Sequence, residues 1–143
     1  MPSRRLFDAS ALVDVILGTR GEDVPIAVVF DEHILDLTVY EAANALWKIA
    51  LVRDLLSEDE LQDAVSILGR LHRDVRIENP AETELERTMQ IACQDGLTFY
   101  DASYLAIADR DDLSLVTEDA GLREAAVQRD VAVESVDELV TEP

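Results

Sequence analysis

Short apolar runs alternate with longer segments of helical periodicity along the whole chain. Apolar runs bounded by charged or turn residues predict strands, and apolar residues recurring every three or four positions predict amphipathic helices. The predicted strands cover residues 4–7, 33–37, 75–78, 113–117 and 131–134. The predicted helices cover residues 9–17, 22–32, 38–53, 57–72, 79–96, 98–110 and 120–129, and a short turn follows at 136–140.

The alternation of these elements predicts the fold class. Strands that alternate with helices indicate an α/β fold with a mostly parallel sheet, here of five strands. The chain has 143 residues and contains no internal repeat, low-complexity tract or linker. A chain of this length is most economically one domain, so we predict a single domain over residues 1–143.

Four acidic residues stand where a strand ends or a helix begins. Asp8 follows the first predicted strand, Asp119 follows the fourth, and Glu41 opens the helix after the second. Asp101 lies in the small and apolar stretch 96–108, near the start of the helix that leads into the fourth strand. Ligands of open parallel sheets bind beyond the carboxyl ends of the strands. We therefore expect the four carboxylates to meet at that edge of the sheet.

Carboxylates that meet in this way need a counter-charge. Like charges within ~4–6 Å of each other disfavour ionisation. Hard divalent cations that prefer oxygen ligands, such as Mg²⁺ or Mn²⁺, remove that cost. The sequence therefore predicts that the four acids form one metal site. A metal held there can orient water and stabilise charge on a phosphate oxygen during in-line displacement.

A purely structural interpretation of the same acids stays open. Thr98 can cap a helix with Asp101 three residues later, and Thr38 and Glu41 repeat this Thr-x-Tyr-acid pattern. An acid at the third position is typical of a capping box. Asp119 can serve as the N-cap of the helix that follows it. The chain uses the same cap-and-acid spacing at several other helix starts, namely Ser57/Glu60, Asn79/Glu82 and Ser135/Glu138.

The charge balance limits the possible partners. The 31 acids and 12 bases give a formal net charge of −19, and Lys48 is the single lysine. Such a surface is typical of adaptation to high salt, where self-repulsion is screened over about 3 Å at ~1 M ionic strength. A generic nucleic-acid binder normally shows a basic face. Nucleic-acid chemistry would therefore have to be local, through metal ions and a few arginines.

The remaining features exclude several other classes of protein. No apolar run approaches the ~20 residues of a membrane span, and no apolar signal segment precedes the first charged turn, so we expect a cytoplasmic protein without a membrane partner. The lone Cys93 lies in a helical pattern and is expected to be buried. His33 and His72 lack zinc-ligand spacing and are expected at surface or edge positions. Tyr100, Tyr104 and Trp47 fall at helical spacings and are expected to pack rather than to stack on bases.

Four short motifs carry a resemblance to a known family. They read Phe-Asp-Ala-Ser at 7–10, Tyr-Glu-Ala-Ala-Asn-Ala-Leu at 40–46, Tyr-Asp-Ala-Ser-Tyr-Leu-Ala at 100–106 and Leu-Val-Thr-Glu-Asp at 115–119. In this order and spacing the set resembles the PIN domain, and within it the VapC-type toxins of toxin–antitoxin pairs. The resemblance spans nearly the whole chain and implies a three-layer α/β/α sandwich.

The resemblance also implies an activity. Relatives of this kind are Mg²⁺- or Mn²⁺-dependent ribonucleases, which implies that Asp8, Glu41, Asp101 and Asp119 form the acidic site here. By the same analogy Ser10, Asn44 and Thr117 support those acids or a water molecule. The implied partners are an RNA substrate, a second copy in a homodimer and a small inhibitory antitoxin. A net charge of −19 suits a basic inhibitor segment.

Two alternatives from other functional classes remain open. A receiver-like signalling domain also combines an acidic pocket and Mg²⁺ with a strand-end threonine, here Thr117. The sequence lacks the adjacent acid pair after strand one and the lysine after strand five that such a domain uses. The second alternative is an interaction module that keeps the PIN-like fold without the activity.

Overall fold

A computed structural model of the chain describes residues 4–19 and 24–139. The described residues form a parallel sheet of five strands in the order β3-β2-β1-β4-β5. The strands are β1 Arg5–Phe7, β2 His33–Leu35, β3 Arg76–Glu78, β4 Ser114–Val116 and β5 Val133–Glu134. The predicted α/β class and five-stranded sheet are confirmed, and each strand pairs in parallel with its neighbours.

Helices connect these strands. They are α1 Ala9–Leu17, α2 Asp36–Trp47, α3 Glu58–Leu71, α4 Pro80–Thr83, α5 Leu85–Asp95, α6 Phe99–Asp111 and α7 Ala120–Gln128. Two 3₁₀ turns cover Ile26–Val29 and Val136–Leu139. The last predicted turn extended to residue 140, which lies outside the described residues. Within the described ranges no helix is long and apolar enough to cross a membrane.

The sheet separates two hydrophobic cores, because successive strand residues point to opposite faces. Phe7 of β1 packs among α1, α2 and α3, in a core that includes Leu12 and Leu46. Leu6, one residue earlier, packs on the other face in a core that includes Leu105 and Leu122. This second core is built by α5, α6 and α7. The predicted three-layer α/β/α arrangement is therefore confirmed.

The predicted helix at 22–32 is wrong in its described part. Residues 20–23 lie outside the described residues, and residues 26–29 form the short 3₁₀ turn. Pro25 before the turn and Phe30 after it are both extended. Asp31 then takes a left-handed conformation with φ 62°. The extended Phe30 and the left-handed Asp31 end the helical conformation before β2 begins at His33.

Two predicted helix boundaries also differ from the structure. Helix α2 begins at Asp36 rather than at Thr38, and its continuation over Lys48–Val52 is wound as a π-helix. The predicted helix at 79–96 is divided at Glu84, which leaves the helical conformation with φ −134° and ψ 28°. Arg110 helps to hold this break, because its guanidinium donates to Thr83 Oγ1 at 2.8 Å.

Several side chains lie where the sequence did not predict them. Cys93, expected to be buried, is exposed on α5. Trp47 and Tyr100, expected to pack, are 49% and 60% exposed. His33, expected at a surface or edge position, is buried, and its Nδ1 lies 3.0 Å from Glu78 Oε1. Periodicity identifies a helix but does not say how much of it the neighbouring elements cover.

Candidate active site

Asp8 is a buried carboxylate at the carboxyl end of β1, where its side chain also caps α1. Only 5% of the residue is exposed. Its Oδ1 accepts hydrogen bonds from the Ser10 hydroxyl at 2.7 Å and from the Ala11 N–H at 2.9 Å. Its Oδ2 accepts a short hydrogen bond from the Thr117 hydroxyl. These donors hold the carboxylate in one orientation.

Burial changes the acidity of Asp8. Loss of water around the carboxylate raises its pKa from 3.8 to about 6, and the charge of Asp119 acts in the same direction. The hydrogen bonds from Thr117, Ala11 and Ser10 oppose this rise without cancelling it. A carboxylate in this position is costly to ionise, since the described part of the chain brings acids toward it and no cation.

Thr117 joins Asp8 to the start of α7. It is fully buried, and its Oγ1 accepts the Asp119 N–H at 3.0 Å while its hydroxyl points to Asp8. Asp119 Oδ1 accepts the Leu122 N–H at 2.9 Å, so the predicted N-cap role of Asp119 is confirmed. Ser10 contributes from the other side, since its Oγ accepts the Glu118 N–H at 3.0 Å. Asp119 therefore caps a helix while its exposed carboxylate faces the site.

Glu41 lies on the second turn of α2 and is half-buried. Its Oε1 accepts a hydrogen bond from the Tyr104 hydroxyl at 2.7 Å. Burial raises the pKa of Glu41 against the effect of this hydrogen bond, and the charges of Asp101 and Asp8 raise the pKa further. Because α2 begins at Asp36, Glu41 is too far along the helix to act in a capping box. The structural interpretation therefore does not explain this acid.

Asp101 lies three residues after Thr98, as the capping interpretation requires. Thr98 does cap α6, since its Oγ1 accepts the Asp101 N–H at 3.1 Å. The reciprocal bond of a capping box, from the Thr98 N–H to the acid, is not formed between these described residues. Burial raises the pKa of the half-buried Asp101, and the charge of Asp119 adds to the effect. Only half of the capping interpretation therefore holds here.

The four carboxylates lie close enough to perturb one another in a closed ring. Asp8 is affected by Asp119, and Asp101 is affected by Asp119 as well. Glu41 is affected by both Asp8 and Asp101. No Arg or Lys of the described chain contributes to the pKa of any of the three shifted acids. We call this group, Asp8, Glu41, Asp101 and Asp119, the carboxylate site.

The residues predicted to support the site fall into two groups. Ser10 and Thr117 both donate to Asp8, and their oxygens lie 3.5 Å apart. Asn44 is exposed on α2, one turn after Glu41, and its side chain makes no hydrogen bond with the described residues. The structure therefore brings two of the three predicted supporting residues, Ser10 and Thr117, into contact with Asp8. Asn44 lies on the same helix as Glu41 but makes no hydrogen bond to any of the four carboxylates.

The chemistry of the site fits a hard cation, but the carboxylates stand apart. All the side chains that converge here offer oxygen, the ligand atom that Mg²⁺ and Mn²⁺ prefer. Within residues 4–19 and 24–139, however, no three His, Cys, Asp or Glu side chains are close enough together to hold a metal ion as they lie. The donor set therefore fits a metal ion, and the spacing is wider than direct ligation by three of them requires.

Sequence reasoning missed the role of two side chains. Tyr104 was expected only to pack, and it is indeed 1% exposed, yet its hydroxyl reaches Glu41. Thr38 was expected at a helix start, and its Oγ1 lies 2.8 Å from the Tyr104 hydroxyl. The spacing held a signal, because Thr38 lies three residues before Glu41 and Tyr104 three after Asp101. Residues three apart share a helix face.

Comparison with known proteins identifies relatives of the chain. The family model described as PIN domain matches residues 5–128. Ribonuclease VapC3 of Pyrobaculum aerophilum is 37% identical over 122 residues, which are 83% of this chain and 92% of that protein. Exonuclease VapC9 of the same organism is 35% identical over 131 residues, 85% of each chain. The crystal structure of PAE2754, also from P. aerophilum, superimposes with a TM-score of 0.73 at 31% identity, covering 96% of this chain and 87% of that one.

Proposed function

This chain belongs to the PIN-domain family, within its VapC group, and from that premise we propose that it is a ribonuclease that hydrolyses RNA phosphodiester bonds with a divalent cation. The observation that carries the proposal is the carboxylate site, where four acids from distant parts of the chain act on one another and no described arginine or lysine shifts the pKa of Asp8, Glu41 or Asp101. The relatives at 37% and 35% identity bear the names of a ribonuclease and an exonuclease.

The cation is Mg²⁺ or Mn²⁺ in this proposal. Asp8, Asp101 and Asp119 act as its ligands, and Glu41 acts as a ligand or positions the attacking water. When bound, such a cation stabilises negative charge on a phosphate oxygen and makes water a better nucleophile. Binding also offsets the repulsion among the acids, which favours a closer approach of the carboxylates than the one described above.

Ser10 and Thr117 have a separate task in the proposal. They hold Asp8 in one orientation by donating to both of its oxygens. Groups that orient metal ligands also stabilise their ionised form. Asn44 stands near Glu41 on the exposed face of α2, where we propose that it contacts water or the substrate rather than another side chain.

The two curated relatives carry names that differ in the mode of cleavage, and we propose endonucleolytic cleavage for this chain. Circular RNA distinguishes the two modes, because only an endonuclease can cut a strand without ends. We expect Mn²⁺-dependent conversion of circular RNA to linear RNA, and no conversion in EDTA. If the protein degrades linear RNA and leaves circular RNA intact, it is an exonuclease and the proposal of endonucleolytic cleavage is wrong.

The proposal for the acids is tested with isosteric variants. We expect Asp8→Asn and Asp101→Asn each to reduce cleavage by roughly 10³-fold while leaving the fold intact, as checked by circular dichroism. Asp109→Asn is the matched control, because Asp109 is exposed two turns further along α6, and its charge acts on Arg87, at 3.9 Å, and on Arg129 rather than on the shifted acids. Full cleavage by Asp8→Asn would remove the assignment, and a protein that binds neither Mn²⁺ nor RNA would instead be a non-catalytic interaction module.

The partners are proposed on the same premise. We propose that the protein is the toxin of a toxin–antitoxin pair, acts in the cytoplasm as a homodimer, and is inhibited by a small antitoxin with a basic segment. The net charge of −19 supports the choice of a basic segment, since opposite charge speeds encounter. Sedimentation of the purified protein tests the dimer, and neutralisation by the product of an adjacent short reading frame tests the antitoxin.

A further inference from the structure

A continuous chain of hydrogen bonds runs from the backbone at the end of β2 to the carboxylate of Glu41. The Leu35 N–H lies 3.0 Å from Thr38 Oγ1, and Thr38 Oγ1 lies 2.8 Å from the Tyr104 hydroxyl. The Tyr104 hydroxyl lies 2.7 Å from Glu41 Oε1. This series of hydrogen bonds thus crosses from α2 to α6 and returns to α2.

The chemistry of its two ends fixes the direction of this chain. A backbone N–H can only donate, and an ionised carboxylate can only accept. Tyr104 therefore donates its one proton to Glu41 and can only accept from Thr38. The Thr38 hydroxyl, which accepts from Leu35, thus donates its one proton to Tyr104. Every hydroxyl proton in the chain is used, and a hydrogen bond that ends on a carboxylate is stronger than one between neutral groups.

The two hydroxyl groups in this series of hydrogen bonds are also held more firmly than the carboxylate of Glu41. Thr38 is fully buried and Tyr104 is 1% exposed, so packing fixes both hydroxyls. Glu41 is only half-buried, and its long side chain would otherwise sample several rotamers. A donor held by the core can therefore select one position for a side chain that its own surroundings do not hold.

We propose that Tyr104 is a positioning residue that holds Oε1 of Glu41 and leaves Oε2 to face the carboxylate site, with Thr38 setting the direction of the Tyr104 hydroxyl. This inference rests on the proposed function, since it assigns to Glu41 an oxygen for the cation or for water. Tyr104 itself touches neither. Removing its hydroxyl should therefore weaken metal binding and slow turnover without changing how RNA is bound.

The test compares Mn²⁺ binding to the RNA-free protein by isothermal titration calorimetry. We expect Tyr104→Phe to bind Mn²⁺ about tenfold more weakly than the wild type, the lower end of what loss of a group behind a metal ligand causes. Tyr100→Phe is the matched control, because Tyr100 lies on the same helix, is 60% exposed and makes no hydrogen bond to Glu41. Its Mn²⁺ affinity should equal that of the wild type.

Variants of Thr38 provide a second line of evidence if Tyr104→Phe folds poorly. Thr38→Ser keeps the hydroxyl and should retain Mn²⁺ affinity, whereas Thr38→Val removes it and should weaken binding in the same direction as Tyr104→Phe. In the Glu41→Gln background, Tyr104→Phe should cause less than a twofold further change, because the group that it positions is already altered. In steady-state cleavage of RNA, Tyr104→Phe should show a lower kcat than the wild type and an unchanged KM.

The possible outcomes separate this inference from the function on which it rests. If the wild type binds Mn²⁺ and cleaves RNA while Tyr104→Phe does both equally well, the inference is overturned and the proposed function stands. The same holds if Tyr104→Phe lowers only the thermal midpoint, since the hydroxyl would then be merely structural. A wild type that binds no Mn²⁺ overturns both, and it does so before any variant is compared.

Discussion

The carboxylate site and the surroundings of Arg110 are both rich in acids, but the acids of the first region lie near one another, whereas those of the second lie around an arginine. Arg110 lies within 4 Å of three carboxylates, at 2.8 Å from Asp111, 3.3 Å from Glu78 and 3.6 Å from Glu84. The hydrogen bond from Arg110 lowers the pKa of Asp111. Burial and mutual repulsion raise the pKa of Asp8, Glu41 and Asp101 in the carboxylate site.

The difference shows which acids the fold itself needs. An acid paired with an arginine can join two elements, as Glu78 of β3 does with Arg110 of α6. Acids that raise each other's pKa weaken the folded state and therefore call for another explanation. The chain has few bases, and it places Arg110 and Arg129 beside structural acids, whereas none of its described bases contributes to the pKa of Asp8, Glu41 or Asp101. The divalent cation of the proposed function would account for this arrangement.

The largest expected effect is on activity. We expect Asp101→Asn to reduce kcat/KM for RNA by roughly 10³-fold, since loss of a ligand removes several kcal/mol of charge stabilisation. Asp111→Asn, in the same helix, should change kcat/KM by less than twofold and should lower thermal stability instead. Comparable loss of activity in both variants would remove the distinction between the two regions.

The next effect is on stability and its dependence on pH. In metal-free protein Asp8 keeps its proton up to a pKa of about 6, whereas the unfolded chain releases it near 3.8. The folded state therefore binds more protons in this interval, and stability falls as the pH rises through it. We expect Asp8→Asn to be more stable than the wild type at pH 7.5, by about 3 kcal/mol at most.

Urea unfolding in EDTA at several pH values measures this difference. The gain from Asp8→Asn should shrink as the pH falls from above the folded pKa of about 6 toward the unfolded value of 3.8. Asp109→Asn, exposed on α6, controls for the general loss of one negative charge. An Asp8→Asn protein that is less stable than the wild type at every pH would contradict the proposed cost of ionising Asp8.

A paired acid should show the opposite sign. Asp95 forms two hydrogen bonds with Arg129, and this contact lowers the pKa of Asp95. We expect Asp95→Asn to destabilise the protein by about 1 kcal/mol, as is typical of a partly exposed ion pair with good geometry. Urea unfolding at pH 7.5 measures it, and a stabilised Asp95→Asn protein would show that paired and unpaired acids do not differ here.

The smallest expected effect is that of salt on the wild type. Raising KCl from 0.1 M to 1 M shortens the screening length from about 10 Å to about 3 Å and weakens repulsion among the unpaired acids. We expect the thermal midpoint to rise, and to rise less for Asp8→Asn than for the wild type. The change is small because distant surface charges are already screened at the lower concentration. A midpoint that falls with KCl would contradict the hypothesis of adaptation to high salt.

Several predictions from the sequence were confirmed because they depend on neighbouring residues. The strands before Asp8 and Asp119 were predicted within one or two residues, and Gly96 ends α5 in a left-handed conformation with φ 67°. Errors arose where neighbouring elements decide the outcome. Arg110 of α6 contacts Thr83 and Glu84 at the break between α4 and α5. The residues that flank the turn at Ile26–Val29 are extended, and Asp31 is left-handed just before β2.

The sequence by itself determined most of the elements and placed Asp8, Asp101 and Asp119 at or near their ends, because periodicity, caps and glycines act over a few residues. Only the tertiary structure decided that Asp8 is buried under Thr117, 109 positions away, and that Glu41 receives the hydroxyl of Tyr104, 63 positions away. Contacts of this range depend on how helices settle on the two faces of the sheet. No local sequence pattern predicts that packing, and the packing brings four carboxylates that are distant in sequence toward one another.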